Sequence, residues 1–265
     1  MVSRILKRAY MFSLYLFLYA PIIVLAFYSF NNSRTRGAWT GFTFKWYLAL
    51  FQDRQIMTSL YYSLSIGVIA AFVATIIGTL AALGINHLKP IPRTVIMNLT
   101  YLPVLNPDIV TGISLMLLFI FVRLKLGFLT LLLSHITFNI PYVILSVLPR
   151  VKQLDQNMYE AALDLGATPG LAFWKVILPE IMPGVVTGWL LAFTLSLDDF
   201  VISFFNTGSG VSNLSIIIYS MARRGINPKI NALSTLLLVS ILALLVTVNL
   251  MMSRQRHLKI REESE

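Results

Sequence analysis

The sequence predicts an all-α integral membrane protein with six transmembrane helices. Three observations support this fold class: 57% of the 265 residues are hydrophobic, 12% are charged, and the mean hydropathy is +0.77. A soluble domain of this length has roughly twice that charged fraction. The chain contains no cysteine, which excludes disulfide bonds and thiolate metal sites.

Six apolar stretches are long enough to cross about 30 Å of hydrocarbon as helices. They lie within a single transmembrane domain, 1–265, at about 10–30, 59–83, 94–122, 127–149, 181–206 and 230–253. An even number of spans places both termini and the loop 150–180 on one side of the membrane. Lys and Arg are slightly more frequent on that side, which favours a cytoplasmic location for it.

Motifs typical of nucleotide-binding proteins, zinc proteases and serine hydrolases are missing from the sequence. It contains no Walker A, HExxH or GxSxG motif. The net charge of +10 does not indicate a nucleic-acid partner, because the basic residues are scattered over loops that flank apolar spans. We therefore expect no cofactor, no metal, no nucleic acid and no ATP hydrolysis by this chain.

The loop between the fourth and fifth spans is predicted to begin with a short helix. Asp155 is placed to cap the first free N–H groups of this helix, which should run to about Leu165. Gly166 suits the left-handed residue that commonly follows a helix C-terminus.

A second helix is predicted directly after this turn. Thr168 suits its N-cap and Pro169 its first position, and Pro179 and Pro183 are expected to end it. Two short helices joined by a rigid turn outside the bilayer can receive force from a soluble partner. The alternative is an amphipathic hairpin that lies on the membrane surface without a partner.

The same loop resembles the EAA loop of bacterial ABC importer permeases. The matching residues are Glu160, Ala161, Ala162, Gly166 and the run 177–179 (Ile-Leu-Pro). The resemblance implies the type I ABC importer permease (MetI-like) fold, with this loop as the coupling helix that docks on an ATPase subunit. It assigns ATPase coupling to Glu160, Ala161, Ala162 and Gly166, and it implies that the loop and both termini are cytoplasmic.

Asp108 is an unusual residue for the middle of the third span. It follows Pro103, Asn106 and Pro107, and these prolines predict a kink or break in the helix. An ionised Asp near the bilayer midplane costs about 2.5–3.5 kcal/mol. We therefore expect Asp108 to face a cavity; the alternative is a buried hydrogen bond to a neighbouring helix.

The fifth span carries two adjacent acids, Asp198 and Asp199. On a continuous helix they would point about 100° apart, so they could not share one narrow face. Ser196 is expected to lie close enough to Asp199 to hydrogen-bond to it. Paired anions in an apolar wall are costly unless a cation neutralises them, which indicates a cation pathway. The alternatives are one acid reaching the membrane interface or a salt bridge to Arg223 or Arg224.

Trp46 is the aromatic residue of the first external loop, 31–58, that we single out for binding. An aromatic face beside a cation pathway can hold an ammonium group, an interaction worth about 0.5–2 kcal/mol. His135 and Asn139 receive no chemical role, because a lone helical histidine is more often a hydrogen-bonded packing residue. The candidate pathway residues are Asp108, Asp198, Asp199, Ser196 and Trp46.

Further segments resemble the polyamine (spermidine/putrescine) branch of the permease family. They are 29–33, 45–47, 106–110, 164–167, 196–199 and 227–233. The resemblance implies a multi-pass subunit of an ATP-driven importer in the bacterial inner membrane. Its implied partners are a second permease subunit, an ATPase dimer and a periplasmic polyamine-binding protein. We expect transport by alternating access, with the binding protein docking on loops 31–58 and 207–229.

Two alternative functions remain open at this point. The chain could be a permease for another cationic solute, or an ion-coupled secondary transporter or channel that uses Asp108 and Asp198 as a relay. The second alternative would have no need of the EAA loop.

Overall fold

The computed structural model describes residues 2–33, 38–224 and 228–262; for 2–5, 156 and 251–262 it describes the backbone alone. Segments 34–37 and 225–227 of the two predicted external loops lie outside the described residues. The helices are α1 (Val2–Tyr28), α2 (Lys45–Phe51), α3 (Arg54–His87), α4 (Pro90–Leu105), α5 (Asp108–Phe121), α6 (Phe128–Lys152), α7 (Gln156–Asp164), α8 (Pro169–Ala172), α9 (Leu178–Asp198), α10 (Val201–Asn206), α11 (Leu214–Arg224) and α12 (Pro228–Glu262). A π-helical turn, Phe173–Ile177, joins α8 to α9.

The described helices confirm the all-α membrane fold. Five of them are long and apolar enough to cross a membrane, and α4 with α5 makes a sixth if the bent pair is one span. The two helices of this pair are bent by 105°. The break predicted in the third span is therefore confirmed. Asn106 is extended (ψ 145°), because the ring of a following proline disfavours the helical conformation.

The fifth span begins earlier than the sequence suggested, and one prediction about it was wrong. Pro179 and Pro183 do not end a helix, since both lie inside α9. Pro179 is the second residue of α9, at the junction with the π-helical turn, and the helical segment Pro169–Asp198 continues through it. The preceding π-helical turn ends with the Leu178 N–H bonded to the carbonyl of Phe173, so the chain stays helical up to the proline.

The chain divides into two compact units. Unit 1 comprises Met1–Thr58 and Ile218–Glu265, and unit 2 comprises Ser59–Ile217. In unit 1, α1 and α2 each pack against α12. In unit 2 the most extensive packing is between α6 and α9.

Glycines allow the close packing of α6 and α9. Gly184 and Gly188 lie four residues apart, on the face of α9 that contacts α6. A Cβ atom on Gly184 would come 2.8 Å from Cγ of Arg150, and one on Gly188 would come 3.3 Å from Cγ1 of Val143. Small residues spaced in this way let helix backbones approach in membranes, where apolar burial gives no driving force between helices.

An ion pair in unit 1 joins the start of α3 to the start of α12. Nζ of Lys229 donates to Oδ2 of Asp53 at 2.8 Å. The other carboxylate oxygen of Asp53 accepts the backbone N–H groups of Gln55 and Ile56. The hydrogen bond from Lys229 is the largest of the causes that hold the pKa of Asp53 below its usual value.

We expect the first turn of α3 to lose stability in acid. A lowered carboxyl pKa contributes stability above the unfolded-state value of about 3.9, and this contribution disappears as the pH falls through the folded pKa. Amide exchange at Gln55 and Ile56, corrected for intrinsic rates, should therefore speed up between about pH 5 and about pH 3. Asp53→Asn should remove this pH dependence, whereas Asp164→Asn, at an exposed site on α7, should retain it. An unchanged pH profile in Asp53→Asn would contradict the assignment.

Gly208 in unit 2 is packed against the backbone of Leu126 and Gly127, so a larger residue at this position should be destabilising. A Cβ atom at this position would overlap the carbonyl oxygen of Leu126, which no rotamer change can relieve. Gly208→Ala should therefore lower stability by about 1–3 kcal/mol or more. Thermal unfolding of the detergent-solubilised protein measures this change. The control is Gly84→Ala in α3, where the added methyl meets nothing within 4 Å and should be neutral or stabilising.

Candidate functional site

The first helix break of unit 2 presents Asp108. It is the first residue of α5 and follows Asn106 and Pro107, which separate α5 from α4. Its side chain is exposed in the described structure, where it accepts no hydrogen bond from a neighbouring helix. This exposure does not fit the alternative of a buried hydrogen bond, and the orientation of Asp108 towards a cavity stays a prediction.

The second helix break of unit 2 separates the two adjacent acids. Asp198 is the last residue of α9, and Asp199 is extended (ψ 121°). The Asp199 carboxylate accepts the backbone N–H groups of Ile202 at 3.1 Å and Ser203 at 2.8 Å, so it caps α10. The prediction of both acids on one continuous helix was therefore wrong.

The two acids differ in their surroundings. Asp198 is exposed, whereas the Asp199 side chain is 6% exposed. Asp199 also accepts the Ser203 hydroxyl at 2.8 Å, and Nε2 of His135 lies 3.7 Å from the same carboxylate oxygen. Asp198 is thus the acid of the pair that is open to a ligand in this conformation.

The two helix breaks lie against each other within unit 2. Helix α10 packs on α5, and Nδ2 of Asn206 donates to the carbonyl of Gly112 at 3.1 Å. As a result, the carboxylates of Asp108 and Asp198 lie within electrostatic range of one another. Asp108 is also within electrostatic range of the Tyr142 hydroxyl on α6. Asp108 therefore lies within electrostatic range of both Asp198 and Tyr142.

A buried hydrogen-bond network supports the second break. His135 on α6 bonds through Nδ1 to the Ser196 hydroxyl at 3.1 Å and through Nε2 to the Ser203 hydroxyl at 3.0 Å. Nδ2 of Asn139 donates to the same Ser196 oxygen at 2.8 Å, and Nδ2 of Asn213 donates to the Ser203 oxygen. Ser196 therefore serves His135 and Asn139, and the predicted bond from Ser196 to Asp199 is absent.

Sequence reasoning missed the network because its members come from distant segments. His135 and Asn139 lie one turn apart on α6, whereas Ser203 and Asn213 follow the second break. The available signal was the four-residue spacing of two polar side chains inside an apolar span. That spacing predicts one polar helix face, but it does not say which helix faces it.

The loop between α6 and α9 has the predicted cap and turn. The Asp155 carboxylate accepts the Asn157 N–H at 3.0 Å at the start of α7. Gly166 has φ +86°, and its N–H and that of Ala167 bond to the carbonyls of Leu163 and Ala162. These two backbone hydrogen bonds form a Schellman motif, which fixes the direction in which the chain leaves α7.

The second helix of the loop starts as predicted. The Thr168 hydroxyl accepts the Leu171 N–H at 3.4 Å, and Pro169 is the first residue of α8. Apolar side chains remain exposed on this loop, notably Leu165, which is 89% exposed, and Trp174. Exposed apolar side chains on a loop outside the predicted spans are typical of a surface that contacts another protein or the membrane.

The comparison with protein families decides where the chain belongs. The model for "Binding-protein-dependent transport system inner membrane component" matches residues 74–259, a range that includes the acids and the loop. The chain belongs to this permease family. The family predicted from the EAA resemblance is therefore confirmed.

Two curated relatives of this permease cover most of the chain. It is 42% identical over 250 residues to the spermidine/putrescine transport system permease protein PotC of Escherichia coli (strain K12), covering 94% of this chain and 95% of PotC. It is 42% identical over 229 residues to the putrescine transport system permease protein PotI of the same organism, covering 84% and 82%.

A solved structure shows the same fold. The permease resembles a chain of a bacterial ABC transporter that imports the acidic polysaccharide alginate, with a TM-score of 0.70 and 18% identity. The match covers 96% of this chain and 98% of that chain. It establishes the predicted type I ABC importer permease fold and carries no information about the solute.

Trp46 is buried within unit 1 of the permease. Its side chain is 5% exposed, and Nε1 donates to the carbonyl of Asn31 at 2.7 Å. The ammonium group of Lys45 lies 5.3 Å from the ring centroid. In this conformation the ring has little free face for a ligand, and its predicted role in binding stays a prediction.

The permease also has a cavity of about 800 Å³ beside the loop between α6 and α9. Its lining comes from the ends of α3 and α6, the start of α4, and the loop helices, and it includes His87, Arg93, Lys152 and Glu160. Among the residues that the structure describes, no group of three or more His, Asp or Glu side chains could hold a metal ion. The charges of the cavity are mixed, so it does not resemble the acidic pair at the helix breaks.

Proposed function

We propose that this chain is the permease subunit of an ATP-driven importer that moves polyamines across the bacterial inner membrane. The observation that carries the proposal is the meeting of two helix breaks that present Asp108 and Asp198 within electrostatic range of each other. Two exposed carboxylates within electrostatic range of each other repel, and a cation that binds between them removes this repulsion.

A polyamine matches this arrangement chemically. It is a flexible chain with several ammonium groups separated by methylenes, so one molecule can neutralise two carboxylates. The Tyr142 ring near Asp108 can add a cation–π contact worth about 0.5–2 kcal/mol. The names of the relatives PotC and PotI, both from polyamine import systems, support the same substrate class.

The energy for transport is proposed to enter through the loop between α6 and α9, residues 153–177, here named the coupling loop. A separate ATPase dimer binds α7 and the turn at Gly166, a second permease subunit completes the pathway, and a periplasmic polyamine-binding protein delivers the substrate. This assignment places the coupling loop and both termini in the cytoplasm. The absence of a Walker A motif in the sequence fits hydrolysis by another subunit.

The proposed mechanism is alternating access. ATP-driven closure of the ATPase subunits draws the coupling loops together and opens the pathway to the outside. The polyamine then leaves its binding protein for Asp108 and Asp198. After hydrolysis the loops separate, and the pathway opens to the cytoplasm. Moving a multiply charged solute into the membrane carries a prohibitive free-energy cost, and the two carboxylates lower this cost.

The test is uptake of labelled spermidine and putrescine by vesicles that contain the complete complex. We expect saturable uptake that requires both ATP and the ATPase subunit. Unlabelled polyamines should inhibit this uptake by competition. An anionic oligosaccharide should not compete. Uptake that persists without the ATPase would instead favour an ion-coupled transporter or channel, and competition by other cations alone would indicate another cationic solute.

A further inference from the structure

The buried imidazole of His135 spans the second helix break. One of its nitrogens bonds to Ser196, in the last turn of α9, and the other bonds to Ser203 in α10. Asp198 and Asp199 lie between these two serines in the chain. The ring therefore connects the two helices across the residues that separate them, and it is 1% exposed.

The hydrogen bonds around His135 have one consistent direction. The Ser203 hydroxyl donates to the Asp199 carboxylate, so its oxygen accepts Nε2–H of His135. In a neutral ring Nδ1 then carries no proton and accepts the Ser196 hydroxyl, whose oxygen accepts Nδ2 of Asn139. A neutral imidazole with its proton on Nε2 satisfies each of these bonds.

Such a network fixes the arrangement of the helices more than it lowers the free energy of the folded state. An apolar side chain of similar volume could fill the same space, and burying His, Ser and Asp side chains carries a desolvation cost. In return, hydrogen bonds of fixed length and direction specify one arrangement of the helices that make them. The arrangement specified here is the angle between α9 and α10, and Asp198 ends α9 at that angle.

We propose that His135 is a positioning residue that sets the distance between the carboxylates of Asp198 and Asp108, and thereby selects the spacing between amines that the permease accepts. Asn139 assists by holding the Ser196 oxygen, and Asp199 anchors α10 rather than binding substrate. This role rests on the proposed polyamine function, since it concerns the selectivity of the same pathway.

The experiment measures uptake by the complete importer for a series of α,ω-diamines of increasing chain length, together with spermidine. Wild type should show an optimum chain length in KM. His135→Phe removes both hydrogen bonds at similar volume, and the KM ratio between the best and neighbouring diamines should change by at least about threefold. His135→Gln retains a donor and an acceptor and should restore much of the original preference.

The controls separate positioning from folding. Thr137→Val changes an exposed residue on the same helix that bonds to its own backbone, and the chain-length preference should stay unchanged. If His135→Phe does not assemble, Ser196→Ala and Ser203→Ala each remove one oxygen and should shift the same ratio. If these variants lowered kcat equally for every diamine and left the KM ratios unchanged, the proposal would be overturned. Absence of polyamine uptake in the wild type would instead overturn the proposed function.

Discussion

Gly166→Pro should abolish the coupling of ATP hydrolysis to transport while the chain still inserts and folds. Gly166 has φ +86°, which proline cannot adopt, and proline also lacks the N–H that bonds to Leu163 at 2.9 Å. Because the pyrrolidine ring holds φ at about −65°, the variant cannot form the native turn, and the chain must leave α7 in another direction. ATP-driven uptake should therefore fall by more than about tenfold.

The measurements are ATPase activity stimulated by the loaded binding protein, and polyamine uptake, in the same vesicles. Gly166→Asn should retain much of the activity, because asparagine tolerates the left-handed conformation better than other side chains. Gly170→Ala, four residues along the chain, meets nothing within 4 Å and should behave as wild type. Normal uptake by Gly166→Pro would show that the turn does not transmit force.

Asp198→Asn should weaken polyamine transport strongly without lowering stability. A hydrogen bond between an ammonium group and a carboxylate contributes about 1.5–3 kcal/mol, so KM should rise by about tenfold or more. The same substitution removes the repulsion between Asp198 and Asp108, which lie within electrostatic range. Thermal unfolding should therefore occur at the same or a higher temperature.

The matched variant is Asp199→Asn, one residue away. Its carboxylate caps α10 and contacts Ser203, so its loss should lower the unfolding temperature. Asp198→Glu keeps the charge and should recover part of the transport activity, and Asp108→Asn should behave like Asp198→Asn. If Asp198→Asn left KM unchanged, Asp198 would have no part in substrate binding.

The elements predicted most accurately from sequence are those set by neighbouring residues. Asp155, Gly166 and Thr168 act as caps or turns because a side chain or a missing Cβ meets backbone groups within four residues. The break before Asp108 follows from Asn106-Pro107 in the same way. Such local rules need no knowledge of the tertiary fold.

Features that depend on tertiary packing could not be predicted in the same way. The α9–α10 break has no proline or glycine at Asp198–Phe200. It is held by His135 from a helix more than sixty residues earlier, and this contact cannot be inferred from local sequence. Pro179 failed as a helix stop for a related reason, since a π-helical turn preceding it lets the helix continue.

The most direct test is a structure of the assembled importer with a polyamine bound and ATP hydrolysis blocked. We predict an amine nitrogen within about 3–4 Å of the carboxylate of Asp108 or Asp198, with α7 and Gly166 buried against the ATPase subunit. A polyamine held elsewhere, with both acids facing lipid or paired with arginines, would contradict the proposed pathway. A coupling loop that contacts no other subunit would contradict its proposed role.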